Sequence, residues 1–178
     1  MPNQEELRTK MLQGKYKILL FRKYGDEQED ATKLVFQTEH SFDYSRDLDR
    51  IVTKDGTVVK VGDLETGVDI DAIQSVKDPA YEMLQEAAIK GEKLELWEVN
   101  IDPDLEEDGK FPAVYCQGYL ESWNPTNPAE DEAEISSTFV VEHEPQFGMA
   151  TVTEEQQQTA QYAFRDTIAE NNDGGTED

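Results

Sequence analysis

The sequence predicts a mainly β protein of sandwich or barrel-like build, with one α-helix flanking the sheet. Three observations predict it. Apolar and polar residues alternate through several runs, the period of a half-buried strand. Turn signals separate these runs, the strongest being Asp55-Gly56. A single internal stretch, residues 79–90, carries helical spacing together with start and stop signals.

Taken in order, Asn3 and Glu6 form a capping box for a short helix reaching Gln13 and closed by Gly14. Residues 16–22 (YKILLFR) read as a strand. Residues 33–42 set Leu34, Phe36, Thr38, His40 and Phe42 against Lys33, Val35, Gln37, Glu39 and Ser41, a second strand. Residues 43–54 are mostly polar and lead to Asp55-Gly56. Residues 64–73 alternate again, with Leu64, Val68, Ile70 and Ala72 opposite Glu65, Asp69 and Asp71.

Asp78 can cap the helix over 79–90, Pro79 suits its first position, and Gly91 follows its end. Ala80, Leu84, Ala87 and Ala88 make its packing stripe. Residues 93–101 return to strand. Residues 111–123 place Val114, Cys116 and Leu120 opposite Tyr115, Gln117, Tyr119, Glu121 and Trp123, before residues 124–128 (NPTNP) break the chain. A long strand over 134–143 turns Ile135, Ser137, Phe139 and Val141 inward, and a short one covers 149–152. Thr153 and Gln156 can start a helix reaching Arg165. The tail from Ala169 has no large apolar residue and is expected to be disordered alone.

Composition narrows the function. The 178 residues fit one domain, and 40 acids against 16 bases give a net charge of −24. Such a field disfavours binding to a phosphate backbone or an anionic membrane. One cysteine, Cys116, excludes an intramolecular disulfide, and two histidines build no common zinc site. The N-terminus lacks a signal-peptide apolar core and no run is long enough to span a membrane, so a reducing cytosol is expected as the place of synthesis. Acid clusters at 26–30, 102–108 and 130–134 fit solvated loops and lack the spacing of a calcium loop. No catalytic residues, metal site or cofactor are assigned. Forty carboxylates produce pairs by chance, His40 and His143 end apolar rows, and Cys116 lies between Val114 and Leu120. Trp97, Tyr115, Tyr119 and Trp123 could form a sugar-stacking platform, but strand aromatics more often serve packing or interfaces.

The segments GKYKILLFRKYGD, ATKLVFQTEHSFDYSRDLDRIVTKDG, KGEKLELWEVNID, YCQGYLESW and FGMATVTEEQQQTAQYAFRDT carry a resemblance across residues 14–168. In pattern and order the chain resembles the major tail protein, or tail-tube protein, of long non-contractile-tailed phages of Gram-positive bacteria. The resemblance implies a structural virion protein, not an enzyme. It implies hexameric rings that stack into a tube, inner sheets joined edge to edge around a lumen for DNA, and assembly with a tape-measure protein, a tail terminator and a distal tail protein. It also implies an N-terminal arm (1–15), a β domain (16–153) with a long inter-ring loop (43–62), and a C-terminal arm and acidic tail (154–178).

Two further expectations follow. An acidic strand face would repel DNA weakly at each step and let it slide. Its candidates are Glu39, Glu65, Asp69, Asp71, Glu121, Glu134 and Glu142. Phe42, Tyr44, Arg46, Arg50, Ile51 and Val52 lie in or beside the charged loop and are expected to contact an adjacent ring or subunit. The alternatives are an acidic β-sandwich binding module for carbohydrate or protein, on a phage or cell-surface structure, and a hydrolase using a carboxylate pair.

Overall fold

The computed structural model describes residues 3–160. The expected helix extension to Arg165 and the tail from Ala169 lie outside them. Seven strands form one antiparallel sheet: β1 (Lys17–Lys23), β2 (Thr32–Lys33), β3 (Gln37–Thr53), β4 (Gly56–Ile73), β5 (Leu94–Asn100), β6 (Lys110–Thr126) and β7 (Glu134–Thr151). Their order is β2-β1-β5-β6-β7-β4-β3. The mainly β expectation holds, with a single continuous sheet in place of two stacked ones. The sheet bends over itself: β3 and β5 are separated by three strands, yet His40 Nε2 lies 2.6 Å from Glu98 Oε2.

The bend encloses the larger core, where Leu19, Phe21, Val68, Ile70, Leu94, Leu96, Cys116 and Phe139 meet. A smaller cluster on the opposite face joins Ile18, Leu20, Val99, Ile101, Phe111 and Val152. Alternate residues of β1 therefore enter different cores. Burial on both faces explains why ILLF is a continuous apolar run without alternation.

Helix α2 (Pro79–Lys90) matches the sequence reading at both ends. Asp78 Oδ1 accepts from Ala80 N at 3.0 Å, and its other oxygen accepts from Val35 N at 3.0 Å. One buried carboxylate thus caps the helix and holds the segment before β3. Gly91 takes φ 68°, and Ala80, Leu84 and Ala87 are buried, with Ala88 half-buried. Helix α1 (Gln4–Thr9) has its capping box but stops four residues short of Gln13. Thr153 and Gln156 reciprocally cap α3 (Glu154–Ala160).

Four expectations change. The strand over 33–42 is interrupted: β2 ends at Lys33, Phe36 turns to φ 55° and is exposed, and β3 starts at Gln37. An extra residue at Thr38 resets the alternation, so Leu34, His40 and Phe42 turn inward while Phe36 and Thr38 do not. The polar segment 43–62 is a paired hairpin, not an irregular loop, because Ile51, Val52, Thr53, Thr57, Val58, Val59 and Val61 favour extended backbone. Gly56, at φ 124°, closes its turn. Strand β6 continues to Thr126, and the extra residue between Leu120 and Ser122 turns Trp123 inward, 5.3 Å from the Tyr81 ring. Finally, the segments 134–143 and 149–152 are one strand, kinked where His143 adopts φ 67°.

Gly118 in β6 is a packing requirement. A Cβ there would stand 1.9 Å from the Val140 carbonyl oxygen. Gly118→Ala is therefore expected to lose about 3 kcal/mol of stability, measured by urea unfolding; an unchanged midpoint would contradict the close approach.

Candidate functional site

The acidic candidates can now be placed by register. Glu39 lies directly opposite Asp71, and Glu65 opposite Ser45. Asp69 pairs with Thr138, whose Oγ1 donates to Asp69 Oδ1 at 2.8 Å. Glu134 is opposite Ile73, and Glu142 opposite Gln117. These six share the sheet face turned away from the larger core. Glu121 does not join them in the ladder, because it is the extra residue of the β6 bulge. Asp43, opposite Gly67, shares the face and was missed because its segment read as loop.

Compensation on this face is slight. Lys93 Nζ lies 2.5 Å from Glu142 Oε2, and that hydrogen bond holds the Glu142 carboxyl below its ordinary range. Among the described residues, no ion pair reaches Glu39, Glu65, Asp69, Asp71 or Glu134. Ser41, Ser45, Ser136 and Thr138 lie between them, and exposed Val140 and Tyr119 stand on the same face near Glu142. The face is a largely polar, anionic surface.

The projecting hairpin is the second feature. Phe42 and Tyr44 stack at its root, 5.9 Å between centroids. Phe42 is half-buried, packing on one side against the protein's own core. Arg46 donates to Gly62 O at 2.9 Å, across the bulge where Gly62 and Asp63 face Asp47 alone. Beyond it, Arg50 is opposite Val59, Ile51 opposite Val58, and Val52 opposite Thr57. Leu48, Arg50, Val52, Val59 and Val61 share one hairpin face, and Val52 is 83% exposed. The reading from sequence named Arg50, Ile51 and Val52 but not Leu48, Val58, Val59 or Val61. The TVVKV alternation was their signal.

Where the hairpin leaves the domain, an open cleft of about 980 Å³ lies between β3 and the β1–β5–β6 side, lined by Phe36, His40, Phe42, Tyr44, Val114 and Phe147 among others. Glu98 stands in its wall. Burial pushes the Glu98 carboxyl up, but hydrogen bonds from His40 and from Lys17, at 3.0 Å, outweigh it and hold the group below the usual range.

The enzymatic and sugar-binding alternatives find little here. Burial pushes the Cys116 thiol up to about 12, which suppresses the thiolate. Trp97 and Tyr115 adjoin at 5.2 Å, but the Arg22 guanidinium covers Trp97 and the Tyr115 hydroxyl donates to Glu95 at 2.7 Å. Trp123 is on the opposite face. Asp102 and Asp104 both engage Lys10, and no group of three or more metal-ligating side chains converges among the described residues. No helix among them is long and apolar enough to cross a membrane.

Comparisons with known proteins bear on the family and the fold. The family model for phage tail tube proteins matches residues 11–147. A tail protein of Staphylococcus phage phiMR25 is 31% identical over 156 residues, spanning 85% of this chain and 80% of its own length. The SPP1 tail tube, determined by solid-state NMR and cryo-EM, superposes with TM-score 0.72 at 18% identity, covering 90% of this chain and 96% of that one. The tail of a gene transfer agent particle, refined with C6 symmetry, gives 0.61 at 12% identity, with 78% and 99% covered. The structural likenesses speak for the fold.

Two outcomes follow from this electrostatic layout. Glu39 and Asp71 repel as directly opposed like charges. Asp71→Asn should therefore raise stability by about 0.5 kcal/mol at low salt and much less at high salt; urea unfolding at two ionic strengths checks it. The depressed pKa of Glu98 adds stability that is present above the unfolded glutamate value, about 4.3, and is lost as pH falls through the folded value. Acid titration of Glu98→Gln should accordingly show a shallower loss of stability than the parent below pH ~4.3.

Proposed function

The chain belongs to the phage tail tube protein family, and on that premise we propose that its copies form stacked hexameric rings enclosing an acidic channel for DNA. The chain is a structural component of the phage tail. The observation that carries the finer reading is the combination of open sheet edges with the acidic face. Strand β3 has no outer neighbour, and β7 beyond Glu142 pairs with β6 alone. Such edges leave backbone N–H and C=O groups without sheet partners. Joining them between copies satisfies those groups and closes the sheet on itself. The six aligned carboxylates then form a continuous surface across β3, β4 and β7, and this face lines the lumen.

An anionic wall suits a conduit. DNA carries one negative charge per ~1.7 Å of axis, and a cationic wall would hold it through counterion release. A wall of carboxylates, serines and threonines gives no such hold. The exposed apolar face of the hairpin contacts an adjacent ring, where its burial gains about 25 cal/mol per Å². The family resemblance further supports a tape-measure protein, a terminator and a distal tail protein as assembly partners.

The test combines electron microscopy with charge reversal. The purified chain, over a series of protein and salt concentrations, should give hollow tubes with six-fold end views. The triple variant Asp69→Lys, Asp71→Lys, Glu134→Lys should still form tubes, because these residues lie on a face and not an edge. Its tubes should retain double-stranded DNA at low salt and release it as salt rises, and phage carrying it should eject DNA more slowly. Loss of assembly in the variant, or tubes with unaltered DNA retention, would place this face elsewhere.

A further inference from the structure

The hairpin is a cantilever. Past Tyr44, its side of β3 is exposed to the tip, and β4 is exposed from Gly56 to Val61. Strand β4 pairs with β7 only from Gly67 onward, so the outer half of the hairpin, below residue 67, pairs only with itself. Something must set the direction in which it points. The open cleft at its root shows that continuous packing does not.

Two side chains bridge the root of β3 to the far side of the sheet. Gln37 lies against β1 like a missing strand: its Oε1 accepts from Leu19 N at 2.9 Å, and its Nε2 donates to Leu19 O at 2.8 Å and Leu34 O at 2.9 Å. Three residues on, His40 meets Glu98 of β5, which also takes Lys17 of β1. The His40 and Glu98 side chains are only 11% and 9% exposed. A buried carboxylate with two partners has one strongly preferred geometry, because moving away from either gives up a charge-assisted hydrogen bond that water replaces poorly at a buried site.

We propose that the His40–Glu98 contact is the positioning clasp that fixes the hairpin's direction and thereby prepares it for contact with another subunit. The last clause rests on the function proposed above; the clasp itself does not. Holding the hairpin in its bound direction lowers the ordering cost of association. Lys17 balances the charge of Glu98 from β1 and not from β3, so it supports the clasp but does not form it.

The clasp can be tested apart from assembly. Spin labels at Thr57→Cys near the hairpin tip and Ile89→Cys on α2 report hairpin direction in the monomer; Cys116 is buried and stays unlabelled. In the parent the distance distribution should be narrow. His40→Phe leaves Glu98 paired with Lys17 and keeps a ring beside Phe42, so the domain should fold; the distribution should broaden at least twofold. Glu98→Gln, a second disruption, should broaden it too, and Lys17→Met should not. Unchanged widths in both clasp variants, or equal broadening in all three, would overturn the proposal. The polymerisation threshold of His40→Phe separates the two readings: a rise of tenfold or more is expected with the broadening. Broadening with an unchanged threshold would leave the clasp standing and remove the hairpin from the assembly contact.

Discussion

A backbone N–H or C=O in a sheet must be paired or solvated, and the longest strands of this protein outrun the core that pairs and covers them. Strands β3, β4, β6 and β7 run 17, 18, 17 and 18 residues, while β1 and β5 run 7 each. The short strands and α2 define how much sheet the cores can cover. The excess length becomes the hairpin on one side and, on the other, the part of β7 that pairs with β6 alone. From this mismatch come the open edges, the root cleft and the exposed apolar side chains. Each would be a liability in a monomer. In the proposed tube, each becomes a surface shared between copies.

Electrostatics is arranged around the same mismatch. Three buried carboxylates have basic partners, Glu95 with Arg22, Glu98 with Lys17 and His40, and Asp102 with Lys10, while buried Asp78 is held by backbone N–H groups. The acidic face is not matched, apart from Glu142 with Lys93. With 16 bases for 40 acids, Lys10, Lys17 and Arg22 sit where desolvation makes an unpaired carboxylate costly, and the solvated face stays anionic. Screening by salt weakens repulsion between such faces without disturbing the short buried pairs.

Much of this was legible in the sequence because local chemistry decided it. Asp78, Pro79 and Gly91 bounded α2 correctly, since capping and left-handed glycine act within a few residues. The shared face of Glu39, Asp69 and Asp71 followed from period-two alternation on each strand. What misled was a single extra residue. Bulges at Thr38, at Gly62–Asp63 and at Glu121 each shift the alternation by one place, and the shifted residues change sides. Thus Phe36 left its apolar row and Trp123 entered the core. The clasp could not be read, because His40 and Glu98 stand 58 residues apart and meet only when the sheet bends. The hairpin was hidden by its charges, although its β-branched residues pointed to strand.

The most direct test of the central claim is a helical cryo-EM reconstruction of the assembled tube at side-chain resolution. The account predicts that the face bearing Glu39, Asp69, Asp71 and Glu134 borders the lumen, with β3 of one copy paired to a strand edge of the next. A tube with these carboxylates on its outer wall, or with β3 unpaired between subunits, would contradict it.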